Sequence, residues 1–445
     1  MKWFSDFKGD MSKSKRIVIT GVGPITAIGI GKDHLWDSIR NKRSNVILED
    51  HYLDEEYWGS FHIAKVFDFD IGNFGLSSGT VASLRRRESD NSRDLLYLLA
   101  ASKLALDDSR LSYDRDDNNL GLILTCENPG LDDLICRIID STLGVIEGRA
   151  PATPLKTKRD FIQTMYEQFE KRVYNLQSFM YLHYVSNALG LHGTPLFINN
   201  ACASGLFALE SAAQQIQCGG TDVVIVAGGD NPSFMTKYLW FKGLGIYAED
   251  GLMKPFDKGR HGIVFGDGAA AIVLEDMEHA LNRGAHIYGE YLGGGFNQDA
   301  WKVTVPSVTT NYYSKAFKQA LKNSDLRPED IDLLNPHGAC TGIGDKYEAL
   351  TIQEIFKGSA RRPMISAFKP YIGHNLGGSA LTELIILLMS MKNNYVPATL
   401  NHTEPDPELN IALAPETNSA DIRTVAKMST GFGGYNAVAL FRKLD

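Results

Sequence analysis

The strongest constraint on this chain is a pattern that it uses twice. Residues 195–217 (PLFINNACASGLFALESAAQQIQ) and 363–387 (PMISAFKPYIGHNLGGSALTELIIL) each run from a short apolar segment, through a turn of small residues, into a long helix-favouring stretch. That order is the mark of a buried strand feeding a helix. Two units alike in order and length imply an internal repeat, hence two similarly wound halves meeting near residues 275–290. Other segments agree. Residues 16–20 (RIVIT, turned by Gly21–Pro24), 120–125, 223–227, 269–275, 287–295, 332–334 and 437–442 read as strands; 33–42, 92–108, 131–147 and 312–324 read as helices. Residues 45–80 carry no long periodic segment and read as irregular surface structure. Strands alternating with helices predict an α/β architecture with mostly buried sheets.

A chain of 445 residues with 44% hydrophobic and 22% charged residues can bury a large core without staples. Its net charge of −8 argues against a general nucleic-acid binder. The five cysteines (Cys126, Cys136, Cys202, Cys218 and Cys340) form no C-x-x-C pair, which favours a reducing cytoplasm over a disulfide framework. Residues 1–15 lack the apolar centre of a signal peptide and are expected to lie outside the fold. The most apolar helical run, Leu381–Met391, is too short to span a bilayer and contains Glu383, so no membrane association is expected.

Three turns that follow apolar runs carry reactive side chains. The first holds Cys202, just ahead of a helix whose free N–H groups and dipole favour a thiolate, with Ala201, Ala203, Ser204 and Gly205 leaving room for a substrate. The second holds His337 between Pro336 and Gly338, followed by Asp345 and Glu348 early in a helix. The third holds Lys369 and His374. A glycine-rich turn surrounds Phe432. In α/β folds such loops gather at one end of the sheet. Taken singly, a buried inert cysteine and satisfied structural histidines are the commoner explanation of such residues, and a zinc site is disfavoured because the ligands lack short paired spacings.

Taken together, the stretches RIVITGVGPITAIG, ACASG, KPFDKGRHGIVFGDGAAAIVLE, NPHGACTGIGDKYEA, SAFKPYIGHNLGGSA and STGFGGYNA, in this order from Arg16 to Lys443, resemble the 3-oxoacyl-[acyl-carrier-protein] synthases, the ketosynthases of the thiolase-like superfamily. The resemblance implies a thiolase-like fold with a layered α-β-α-β-α core. Residues 16–280 would form an N-terminal half with the nucleophile and a helical insertion near 150–180; residues 281–445 would carry both histidines. It implies Cys202 as the acylated nucleophile, His337 and His374 as its two histidines, Lys369 as the family lysine and Glu348 as that lysine's ion-pair partner. Phe432, between Gly431 and Gly433, would gate the site and complete an oxyanion hole with Cys202, and Thr341 would meet a phosphopantetheine arm. The implied reaction is decarboxylative condensation of the acyl group on Cys202 with a malonyl thioester, without metal or redox cofactor, in fatty-acid or type II polyketide synthesis. The implied partners are an acyl carrier protein and a second subunit, in a homodimer or in a heterodimer with a ketosynthase-like subunit. A catalytically silent chain-length-factor subunit is the alternative, against which Cys202, His337, Lys369 and His374 all speak.

Several positions depart from the family pattern. Ala339 stands where threonine is usual, and Asp267 where glutamate is. The turn Thr125–Gly130, which commonly borders the acyl pocket, is less rich in glycine than in the family. The insertion is expected to add helices near the pocket or the dimer interface. Two basic clusters, Arg85–Arg87 and Lys156, Lys158 and Arg159, read either as solvated helix surface or as docking sites for an acidic carrier.

Overall fold

The computed structural model describes residues 15–444 apart from 54–55, 87–91, most of 132–176 and 233–234. Among the described residues, ten strands form the path of the main sheet. In the first half they are β1 (Ile17–Thr26), β2 (Gly121–Thr125), β3 (Pro195–Phe197), β4 (Val223–Asp230) and β5 (Gly268–Asp276). In the second they are β6 (Gly289–Gln298), β7 (Leu333–Asn335), β8 (Met364–Ile365), β9 (Thr424–Gly431) and β10 (Tyr435–Arg442). Counted within each half, the spatial order is the same: third, second, fourth, fifth, first. The pairing repeats too. The second strand runs parallel to the third and fourth, and the fifth antiparallel to the fourth and first. β1 and β6 then pair antiparallel through Ile17, Val18 and Ile19, joining the sheets edge to edge. The internal repeat is thus present strand for strand.

Alternation along the strands assigns the layers. On β4, Val224 and Val226 enter a central core, while Val223, Ile225 and Ala227 enter an outer one. The helix Ser379–Asn393 is buried on every side from Ser379 to Met391, as expected of a helix apolar all round. It shares the central core with the helix Ser204–Gln217. The two approach so closely that a β-carbon on Gly205 would lie 3.2 Å from the backbone nitrogen of Leu381. The helices Arg93–Ser109 and Ser178–Leu189 cover the first sheet, and Tyr312–Asn323 and Gly342–Ile355 the second. The result is the expected α-β-α-β-α stack.

Some local expectations fail for physical reasons. Gly21 and Gly23 do not turn the chain; β1 runs through them. A β-carbon at either would collide with a backbone carbonyl of the helix Arg93–Ser109, at Ala105 or Ala101, so these glycines allow close packing. The second half repeats the device: a β-carbon on Gly295 of β6 would collide with the Ala316 carbonyl. A Gly295→Ala substitution is therefore expected to cost on the order of 3 kcal/mol, read as a lower midpoint in chemical denaturation. Residues 45–80 are not irregular throughout. Val46–Leu53 and Glu56–Ala64 form an antiparallel hairpin, and Phe265–Gly266 lies alongside its second strand. Only the end of the hairpin that holds Phe61 and Ile63 is deeply buried, which hides its alternation. β9 was concealed by Lys427, a charge in the middle of a buried strand. The helix Met235–Gly243 carried no clear signal.

The insertion near 150–180 and the helix expected over 131–147 lie mostly outside the described residues, as do Arg87, Lys156 and the side chains of Arg85 and Arg86. Lys158 and Arg159 are exposed. Among the described residues, no helix is long and apolar enough to cross a membrane.

Candidate active site

The turn between β3 and the helix Ser204–Gln217 presents Cys202. Ala201 takes a left-handed conformation (φ 50°), uncommon for a residue with a β-carbon, and so bends the chain sharply. Ser204 fastens the bend: its hydroxyl donates to the Ala201 carbonyl at 2.6 Å and accepts from the Asn200 amide at 2.7 Å. Cys202 is left 7% exposed on the wall of a pocket that His337 and His374 also line.

The two histidines come from the second and third turns of the other half. Their ring centroids lie 5.3 Å apart, with planes at 76°. His374 follows β8; its amide donates to the Val264 carbonyl at 2.8 Å, and its Nδ1 meets the Ser379 hydroxyl at 2.8 Å. His337 follows β7, and Lys369 braces it from behind. The Lys369 ammonium donates to the His337 carbonyl at 2.7 Å and lies 3.5 Å from His337 Nδ1. An ammonium has only donors to offer, so the proton of neutral His337 sits on Nε2, the other ring nitrogen.

The ion pair expected between Lys369 and Glu348 is not formed. Lys369 pairs with Glu383 at 2.7 Å, and Lys427 shares that carboxylate oxygen at 3.0 Å, all three side chains being buried. Glu348 instead accepts the backbone amides of His337 and Gly338, each at 2.6 Å. It holds the histidine turn by its backbone, because in the helix Gly342–Ile355 it lies beneath that turn. Lys427 adds a bond to the Pro336 carbonyl at 3.2 Å. Sequence reasoning missed Glu383 and Lys427. The signal for Glu383 was present: a lone acid inside an apolar helix requires a buried partner.

Phe432 lines the pocket at the tip of the β9–β10 hairpin and stacks on Phe241, with centroids 5.5 Å apart, and meets Trp240 edge-on at 5.7 Å. The hairpin backbone presses against the nucleophile: a β-carbon on Gly431 would stand 3.0 Å from the Cys202 nitrogen. That contact seats the hairpin tip, with Phe432, beside the nucleophile turn. Gly431 and Thr341 line the pocket, and Thr341 also caps its helix by accepting the Gly344 amide at 3.2 Å. Gly433 is not a lining residue; its amide donates to the Val303 carbonyl at 2.6 Å, and Gly434 faces the pocket in its place. Among the described residues, no group of three His, Cys, Asp or Glu side chains is disposed to hold a metal.

Burial and the neighbouring lysines push both imidazoles well below their ordinary range, Lys369 acting more strongly than Lys427. Both are neutral near pH 7 and offer N–H groups. Burial also pushes the carboxyls of Glu348 and Asp345 up to about 7, and the Lys427 ammonium down to about 8. Cys202 departs from expectation. Burial, and then the Glu127 carboxyl, push its thiol well above the usual range, opposed by Lys369. The helix begins two residues later, at Ser204, and a helix dipole contributes only about 0.3–1 kcal/mol. The resting nucleophile is a thiol.

Comparison with known proteins is consistent along the whole chain. Residues 14–280 match the family model of the beta-ketoacyl synthase N-terminal domain, and residues 288–403 that of its C-terminal domain. A curated relative, 3-oxoacyl-[acyl-carrier-protein] synthase 2 of Staphylococcus aureus, is 29% identical over 440 residues, covering 98% of this chain and 100% of the relative. The solved ishigamide ketosynthase/chain length factor superposes with a TM-score of 0.82 at 26% identity, over 97% of this chain and 100% of the other. A type II polyketide ketosynthase solved in complex with its acyl-carrier protein and bound to a hexaketide superposes with a TM-score of 0.77 at 25% identity, with the same coverage.

Proposed function

This chain belongs to the beta-ketoacyl synthase family, and on that footing we propose that it condenses an acyl group held on Cys202 with malonyl-[acyl-carrier-protein], giving a 3-oxoacyl-[acyl-carrier-protein] in fatty-acid or type II polyketide synthesis. One observation carries the assignment: Cys202, His337 and His374 line a single pocket. The Cys202 sulfur attacks an acyl thioester, and the amides of Cys202 and Phe432 receive the oxyanion. Malonyl thioester then enters. Loss of carbon dioxide leaves an enolate whose oxygen needs donors, which the Nε2 hydrogens of His337 and His374 supply. The enolate carbon attacks the acyl-Cys202 ester and frees the thiol. These steps need no metal or redox cofactor, since the phosphopantetheine arrives on the carrier.

A relative solved with its carrier protein bound supports an acyl-carrier protein as the substrate bearer. The working unit is a dimer, with a second copy or a ketosynthase-like subunit. The exposed Leu196 on edge strand β3, directly ahead of the nucleophile turn, supports a partner on that side. The intact nucleophile and histidines disfavour a silent chain-length-factor role.

The test is incubation with a panel of acyl-[acyl-carrier-protein]s followed by intact mass measurement. A single acyl adduct in the native chain, absent from Cys202→Ala, is expected. No adduct with any acyl group would overturn the assignment.

A further inference from the structure

The repeat gives every turn of the second half a counterpart in the first. Cys202 and His374 occupy one such pair, each following the third strand of its half and preceding a central helix. The counterpart of His337 follows the second strand. His337 lies two residues beyond the end of β7, at Asn335; two residues beyond the end of β2, at Thr125, lies Glu127. The position that sends an imidazole into the site from one side sends a carboxyl from the other. Glu127 Oε1 stands 3.8 Å from Cys202 Sγ, the thiol donating.

Glu127 is held on both sides. Its amide donates to Asp230 Oδ1 at 3.0 Å, and its carbonyl accepts from the Asn199 side chain at 2.9 Å. Asp230 in turn lies 3.6 Å from the Lys237 ammonium and accepts the Gly377 amide at 2.9 Å. The Cys202 proton requires an acceptor, because the sulfur attacks as thiolate and rests as thiol. His337 is unsuited: Lys369 occupies its Nδ1 side, so Nε2 faces the pocket with a hydrogen already on it. Enolate stabilisation asks the same of His374, with the Ser379 hydroxyl donating to Nδ1.

Resting on the condensing reaction above, we propose that Glu127 is the catalytic base and acid of acyl loading. As Cys202 Sγ bonds to the thioester carbonyl carbon, its proton passes to Glu127 Oε1. When the tetrahedral intermediate collapses and the bond from that carbon to the carrier's sulfur breaks, the same proton passes to the departing thiolate. Glu127 suits both directions, because burial and the Asp230 carboxylate, partly offset by Lys237, push its carboxyl up to about 7. The charged and titratable groups around the pair are Asp230 and Lys237 at Glu127, the Cys126 thiol and Asp94 beyond Asp230, and Lys369 beyond Cys202.

The experiment measures single-turnover loading of Cys202, with the acyl-pantetheine thioester that loads the native chain best, from pH 5.5 to 8.5. Native loading should rise with pH through about 7, as Glu127 ionises. Glu127→Gln should slow loading by about 10²-fold and abolish that rise. Glu127→Asp, which keeps a carboxyl, should keep the rise and recover part of the rate. Glu127→Gln should slow loading at least tenfold more than it slows decarboxylation of malonyl-pantetheine, a step that moves no thiol proton. Loading by Glu127→Gln at the native rate, or with the native pH rise, would overturn the proposal. So would a change in KM alone, which would make Glu127 a pocket residue. Failure of the native chain to load at all would instead overturn the parent assignment, and this proposal with it.

Discussion

A His337→Ala, His374→Ala double variant should still take an acyl group onto Cys202 while losing malonyl decarboxylation by between about 10³- and about 10⁶-fold. Each oxyanion donor of this kind contributes on the order of 10²–10³, and donors that act on one oxygen combine less than additively. The geometry behind the expectation is the T-shaped pair of rings 5.3 Å apart, both buried and both kept neutral by burial and the lysines behind them. A neutral imidazole with its proton on Nε2 can donate toward a developing enolate oxygen without first shedding a charge. The two half-reactions are read separately, carbon dioxide release from malonyl-pantetheine in one and intact mass after acyl transfer in the other. Equal loss of both would mean that the histidines serve the nucleophile, and decarboxylation at the native rate would remove them from the enolate step.

Lys369→Ala should be damaging in a different way. The ammonium bonds to the His337 carbonyl and pairs with Glu383. Breaking one partner out of a buried ion pair costs about 3–5 kcal/mol. Here Lys427 still contacts the same carboxylate oxygen, so the lower end of that range is expected in chemical denaturation. Turnover should fall further than stability explains, by at least about 10²-fold, because His337 loses the cation that fixes its tautomer. Lys369→Arg tests shape against charge: a planar guanidinium restores charge but not the compact fit between carbonyl, ring and carboxylate. A Lys369→Ala chain with native turnover would show that the lysine serves the fold alone.

Much of this site was legible in the sequence because its groups sit where pattern is strongest. Cys202, His337 and His374 each follow an apolar strand and precede glycine or small residues, so strand, turn and helix can be read without coordinates. The partner of Lys369 could not be read this way. Glu348 is close to His337 in sequence and Glu383 is not, but Glu348 lies under the turn, within reach of its amides, while Glu383 reaches the ammonium from the central helix. The family resemblance named the wrong acid, although Glu383, 14 residues from Lys369, is the nearer of the two in sequence. Lys427 was illegible for the opposite reason: its charge broke the apolar run that would have announced β9. At Gly21 and Gly23 the composition was right and its meaning was not, since glycine marks a close helix as readily as a bend. Glu127 registered only as a departure from a glycine-rich turn. Its importance lies in what it faces, and that depends on the pairing of β2 with β3 and β4.

The twin strand order has a consequence for how such a molecule can change. A duplicated ancestor would have brought like turns together at its centre, with the same side chain offered from both sides. Here one copy presents sulfur and a carboxyl, the other two imidazoles, and chemistry arises from their difference. Neither copy can drift at these turns by itself, because the complement to each group is encoded more than a hundred residues away, across a fold-doubling that has become a division of labour.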